Sequence, residues 1–161
     1  MKKDFTVCFT GHRKADDKNI ESKIYDTVLN LIKNKKASIF LFGSKGKFND
    51  ICHKAVTRLK SEYGDIKRVY VRAEYPDINE SYKNYLLKDY EETYFPNIVR
   101  KAGKLSYIKR NIEMIKSSDV CVFYYNENYI PKNNKAESGT KFAFEYAQNL
   151  NKKIINIFPI L

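Results

Sequence analysis

Apolar positions along this chain follow two rhythms that take turns. Short runs of β-branched and aromatic residues end abruptly at glycine or polar residues. Between the runs, apolar residues recur every three or four positions. The first run, 5–10, stops at Gly11-His12-Arg13. Ile20, Ile24, Val28, Leu31 and Ile32 then share one face over 19–34. A second run, 38–42, stops at Gly43-Ser44-Lys45-Gly46-Lys47, and Phe48, Ile51, Cys52, Ala55, Val56 and Leu59 define the next helical face. Gly64 closes it, and 66–73 reads as a third strand, Val69 and Val71 alternating with Arg68, Tyr70 and Arg72. Runs predict strands and the wider spacing predicts amphipathic helices. Strand–helix–strand–helix–strand at this pace predicts a parallel sheet with right-handed crossovers.

The middle of the chain is less regular. Pro76 and Asn79 mark a loop, 81–94 reads as one helix or two short ones, and Pro96 breaks it. Tyr75, Tyr82, Tyr85, Tyr90 and Tyr94 make 75–98 a Tyr-rich excursion, suited to walling a pocket or a subunit contact. Helical spacing returns with Tyr107 or Ile108, Ile112 and Ile115, followed by a fourth strand over 119–125. Residues 126–137 read as a polar loop able to act as a lid. Ser138-Gly139-Thr140 opens a helix through Leu150, and the last strand covers 152–158. The expectation is one α/β domain over 1–161, a Rossmann-like three-layer sandwich with about five mainly parallel strands.

Composition narrows the function classes. No apolar run approaches the roughly 20 residues that span a bilayer, and no signal peptide is visible after Lys2 and Lys3. Cys8, Cys52 and Cys121 are an odd, widely spaced set in apolar segments, where free cysteine acts as a small hydrophobe. With no CxxC and two histidines, no metal and no cofactor is expected. The expected setting is the cytoplasm. A formal charge of +11 suits phosphate-bearing partners, yet lysine is spread along the chain among Asp and Glu rather than gathered in one patch.

Three glycine-bearing turns carry the candidate chemistry. Gly11-His12-Arg13, Gly43-Ser44-Lys45-Gly46 and Glu137-Ser138-Gly139-Thr140 each follow a predicted strand and precede a helix. In a parallel sheet all three leave the same edge, where ligands of open α/β sheets bind. Helix N-termini bring unpaired N–H groups and partial positive charge. Glycine lets backbone approach closely, hydroxyls donate, and Arg13 and Lys45 add cations. A phosphorylated ligand fits this set. No Walker A spacing and no GxGxxG occurs.

The same segments carry a family likeness. Phe9-Thr10-Gly11-His12-Arg13, Phe42-Gly43 leading to Phe48-Asn49, Tyr107-x-x-Arg110-Asn111-x-x-Met114-Ile115 leading to Ser118-Asp119, and Ser138-Gly139-Thr140 stand in family order over nearly the whole chain. The chain resembles the SLOG superfamily, the Rossmann-like group related to the LOG and DprA proteins, and within it the YpsA-type branch. That resemblance implies binding of nucleotides or nucleotide-derived molecules; some relatives hydrolyse the N-glycosidic bond of nucleoside monophosphates, and others act as sensors. It adds Arg110 and Asn111 to the candidate site. Two positions depart from the family pattern: Asn49 stands where an acid is usual, and Ala143 where the phosphoribohydrolases carry glutamate.

The leading expectation is therefore a ligand sensor that binds a nucleotide-derived small molecule, as a homodimer and away from membranes. Gly11, His12, Arg13, Gly43, Ser44, Lys45, Phe48, Asn49, Arg110, Asn111, Ser138, Gly139 and Thr140 are its candidate contacts. An N-glycoside hydrolase or deoxyribosyltransferase is the alternative. It needs a carboxylate at the ribose, with Glu137 or Glu145 as candidates. Single-stranded nucleic-acid binding, by analogy with DprA, is the third reading, drawing on the net charge and the tyrosines.

Overall fold

The computed structural model describes residues 3–43, 46–129 and 139–160. Its frame is a six-stranded sheet in the order β4-β3-β2-β1-β5-β6, with every neighbouring pair parallel. The strands are β1 Phe5–Gly11, β2 Ala37–Phe42, β3 Lys67–Val71, β4 Glu92–Tyr94, β5 Val120–Tyr124 and β6 Lys153–Asn156. Helices α1 Ile20–Lys35 and α2 Lys47–Lys60 pack with one face of the sheet; α4 Ser106–Lys116 and α5 Gly139–Asn149 pack with the other. The short α3, Glu80–Leu86, lies between β3 and β4. This is the three-layer Rossmann-like arrangement.

Alternation along the strands divides the core in two. Val7, Phe9, Phe40, Phe42, Val120 and Val122 pack with α1 and α2. Cys8, Leu41, Val69, Val71, Cys121 and Phe123 pack with Met114 and Ile115 of α4 and Ala143 and Ala147 of α5. Both faces of the central strands are covered, so those strands read as continuous apolar runs. The three cysteines are buried and unpaired. Among the described residues, no helix is long and apolar enough to cross a membrane.

The expectation of about five strands is corrected to six. The added strand, β4, falls within the stretch read as helical over 81–94; α3 occupies its start and β4 its end. Three residues on a sheet edge are too few to show a period-two pattern, so the local sequence hides this strand.

Strand order sets the site. From β1 the chain steps outward through β2 and β3 to β4, then returns past all three to β5 on the other side of β1. The order reverses between β1 and β5, and such a switch point opens a crevice beyond the carboxyl ends of the strands.

Candidate functional site

The turn after β1 sits at the switch point. The backbone N–H of His12 donates to the carbonyl of Tyr124 at 3.2 Å, carrying the β1–β5 ladder one step further. The ring, 5 % exposed, stacks on Tyr129 with centroids 4.3 Å apart. Its Nε2 accepts the backbone N–H of Asn126 at 3.0 Å, which leaves the ring proton on Nδ1. Burial holds the imidazole pKa below its ordinary value, so His12 is a neutral clamp between the β1 turn and the segment after β5. Arg13, next along, is exposed.

The start of α2 is pressed against this turn. Lys47 N–H donates to the Arg13 carbonyl at 2.9 Å. Gly46 has φ +122°, and a Cβ there would stand 2.8 Å from Arg13 Cα, so both conformation and space demand glycine. Phe48 is 2 % exposed, packed behind Gly11 and stacked on Tyr124 at 5.8 Å. It belongs to the core and does not face the strand-end cleft. Asn49 is buried in the first turn of α2, and its Oδ1 has no partner among the described residues; neither has the buried hydroxyl of Thr10, one residue before the β1 turn. Such orphaned groups cost about 1–3 kcal/mol each unless something binds them.

Beyond β2, the key residue is Arg110 on α4. It is 3 % exposed, its Nη1 donates to the Gly43 carbonyl and its Nε to Asn111 Oδ1 at 3.0 Å. A Cβ on Gly43 would lie 2.6 Å from Arg110 Cδ and 2.9 Å from the Val71 carbonyl, so only glycine admits the side chain here. The guanidinium also rests over the Tyr107 ring, 5.4 Å from its centroid. No carboxylate forms an ion pair with it among the described residues. Burial pushes its pKa down to about 10, still far above neutrality, so the charge stays.

Arg72, just past β3, repeats the theme. At 7 % exposure it donates to the carbonyls of Tyr75 (3.2 Å) and Pro76 (3.4 Å) and to Thr93 Oγ1 (3.0 Å), with no carboxylate partner among the described residues. Glu74 follows it, accepting a hydrogen bond from the Tyr107 hydroxyl.

The chain matches no family model and no curated protein. The assignment of residues therefore rests on geometry. Gly11, His12, Arg13, Gly43, Asn49, Arg110 and Asn111 gather along the carboxyl ends of β1 and β2. Gly139 and Thr140 open α5, with Thr140 buried and Gly139 exposed. Glu145 is exposed, off the buried Thr140, Ala143 and Ala147 stripe of that helix, and does not join the cluster. Ser44, Lys45, Glu137 and Ser138 lie outside the described residues, as does most of the loop expected as a lid. Of the excursion's tyrosines, Tyr75 and Tyr85 are exposed, whereas Tyr90 stacks on Tyr70 at 5.2 Å. Among the described residues no cluster of His, Cys, Asp and Glu could hold a metal ion.

Sequence reasoning missed Glu74 and the burial of Arg72. Neither has a local signature, because each depends on β4 and α4 closing over the end of β3.

Proposed function

We propose that this chain is a SLOG-type binding module. It holds a nucleotide or nucleotide-derived small molecule, such as a signalling nucleotide, over the carboxyl ends of the strands. The observation that carries this reading is Arg110: a buried guanidinium bonded to a carbonyl and an amide, with no carboxylate in ion-pair contact among the described residues and Glu74 acting on it only at longer range. A buried charge without a directly paired counter-ion is unfavourable, and a phosphate entering beside it supplies a contacting anion with fork-matched geometry. Its place near the switch point of a doubly wound sheet is where such a ligand sits. Arg13 is a second cation at the rim, while Thr10 and Asn49 offer buried polar atoms without a partner among the described residues.

The test is a thermal-shift screen against nucleoside phosphates, cyclic nucleotides, ADP-ribose and single-stranded oligonucleotides, run on the wild type and Arg110→Met. A ligand that binds only the folded state raises the midpoint by mass action. The expected result is a rise with a small phosphorylated molecule, recovered intact, and loss of about a hundredfold in affinity in Arg110→Met, some 2.7 kcal/mol. Equal shifts in both proteins, or a response to oligonucleotides alone that fades steeply with salt, overturn the reading. A ligand consumed on incubation makes the protein an enzyme.

A further inference from the structure

The loop after β3 is built more firmly than a connection needs. Arg72 spends its guanidinium on two carbonyls of this loop and on Thr93 of β4, and Thr93 Oγ1 donates back to the Tyr70 carbonyl at 2.8 Å. Tyr75 is held at φ 61°, a left-handed conformation that a bulky residue adopts only under constraint. Between the buried arginine and the strained tyrosine stands Glu74. Its carboxylate is exposed, and the Tyr107 hydroxyl donates to one of its oxygens. That hydrogen bond raises the Tyr107 pKa, as expected beside an ionised carboxylate. The other oxygen has no partner among the described residues.

Helix α4 links this carboxylate to the cationic site. Tyr107, Arg110 and Asn111 share one helical face at i, i+3 and i+4. Tyr107 reaches Glu74, Arg110 reaches Gly43, and Asn111 is spent on Arg110 through Oδ1, leaving its amide N–H groups available to a ligand. An anion-accepting guanidinium and an anion-repelling carboxylate are thus held by side chains one helical turn apart on α4, Arg110 itself and the Tyr107 that bonds Glu74, close enough for Glu74 to act electrostatically on Arg110. Together they sort a polar ligand by charge: phosphate goes to Arg110, and neutral hydrogen-bond donors go to Glu74.

We propose that Glu74, with Tyr107 and Asn111, is a subsite for the vicinal hydroxyls of a ribose. This rests on the ligand being a nucleotide, in which phosphate and sugar are neighbours as Arg110 and Glu74 are. The unpartnered carboxylate oxygen accepts one hydroxyl, the oxygen bonded to Tyr107 has a second lone pair for the adjacent one, and the amide of Asn111 can donate to a hydroxyl oxygen. The subsite makes the protein selective for ribonucleotides over their 2′-deoxy counterparts.

The test is titration calorimetry with ADP, GDP, CDP and UDP and the four 2′-deoxy forms, on the wild type and Glu74→Gln at one salt concentration. The expected result is at least about tenfold tighter binding of the ribo series by the wild type, below the discrimination of fully buried hydroxyl-reading sites because the Glu74 carboxylate is exposed. In Glu74→Gln the ribo affinities should fall to meet the deoxy series. Binding with equal affinity for ribo and deoxy forms overturns the subsite and leaves the nucleotide reading standing. A preference for guanine alone, lost in Glu74→Gln, overturns it too, since the carboxylate would then read a base. Absence of binding in both series overturns the subsite, and the function it rests on falls with it only where the wider thermal-shift screen is silent as well.

Discussion

Strand β3 has a buried arginine near each end, and the two are treated in opposite ways. Arg68, 9 % exposed at the amino edge, is locked to Glu91: Nε to Oε1 at 3.1 Å and Nη2 to Oε2 at 2.7 Å, with Thr57 taking a further N–H. Lys60 and Lys67 pair with Glu91 and Glu92 beside it. At the carboxyl edge, Arg72 and Arg110 are as deeply buried but bond only to carbonyls, a hydroxyl and an amide. One edge pairs its arginine directly with a carboxylate; at the other, among the described residues, no carboxylate is in ion-pair contact with either arginine, and Glu74 and Asp77 act only at longer range. The difference is the one the proposed function requires of an edge that receives an anion.

The largest expected effect comes from breaking the closed edge. Glu91→Gln leaves Arg68 buried without its counter-charge and should lower stability by about 3 kcal/mol, the low end for a buried pair because Glu91 keeps 26 % of its side-chain surface exposed. Denaturant unfolding measures it, and ligand affinity should not change. Destabilisation by less than about 1 kcal/mol would mean that the edges do not differ.

Glycine substitutions sharpen the same contrast. Gly43→Ala forces a methyl against Arg110 and the Val71 carbonyl, an overpacking that should cost about 1–3 kcal/mol and weaken ligand binding by displacing the guanidinium. Gly64→Ala, where nothing lies within 4 Å of the new carbon, should be neutral or stabilise slightly. Equal effects from the pair would dissolve the distinction.

The smallest effect is in the pH profile. His12 has a folded-state pKa below the unfolded value of about 6.5. Its stabilising contribution is complete above that value. It is lost as pH falls toward the folded pKa, because the unfolded chain takes up a proton that the folded one resists, with a slope of at most about 1.4 kcal/mol per pH unit. His12→Gln, which can still accept from Asn126 but does not titrate, should flatten the stability profile between about pH 5 and 7. An unchanged slope would remove His12 from the clamp.

How much of this could be read from the sequence follows the range of each interaction. The runs over 5–10 and 38–42 announce central strands because burial on both faces writes itself locally. Gly11, Gly43 and Gly46 announce turns for the same reason. Arg68 and Arg72 alternate with Val69 and Val71 like solvent-facing residues. Their burial depends on α2 and on a three-residue strand that leaves no periodic trace. Phe48 is both the first apolar position of a helix face and part of a strand-end motif, and only packing decides that it faces inward. Glu74 and Tyr107 are far apart in sequence and acquire meaning only when α4 crosses above β3.

That crossing has a consequence for folding order. The connection from β4 to β5 spans the three strands β3, β2 and β1, and α4 lies on it. The contacts that assemble the crevice are correspondingly remote: Arg110 with Gly43 across 67 positions, and Asn126 with His12 across 114. Non-local contacts of this kind form late and slowly. A nascent chain that has built β1 through β4 has a partial sheet and lacks both Arg110 and Asn126. The crevice is therefore complete only after these long-range contacts form, so under the proposed function ligand capture timed during refolding reports their arrival.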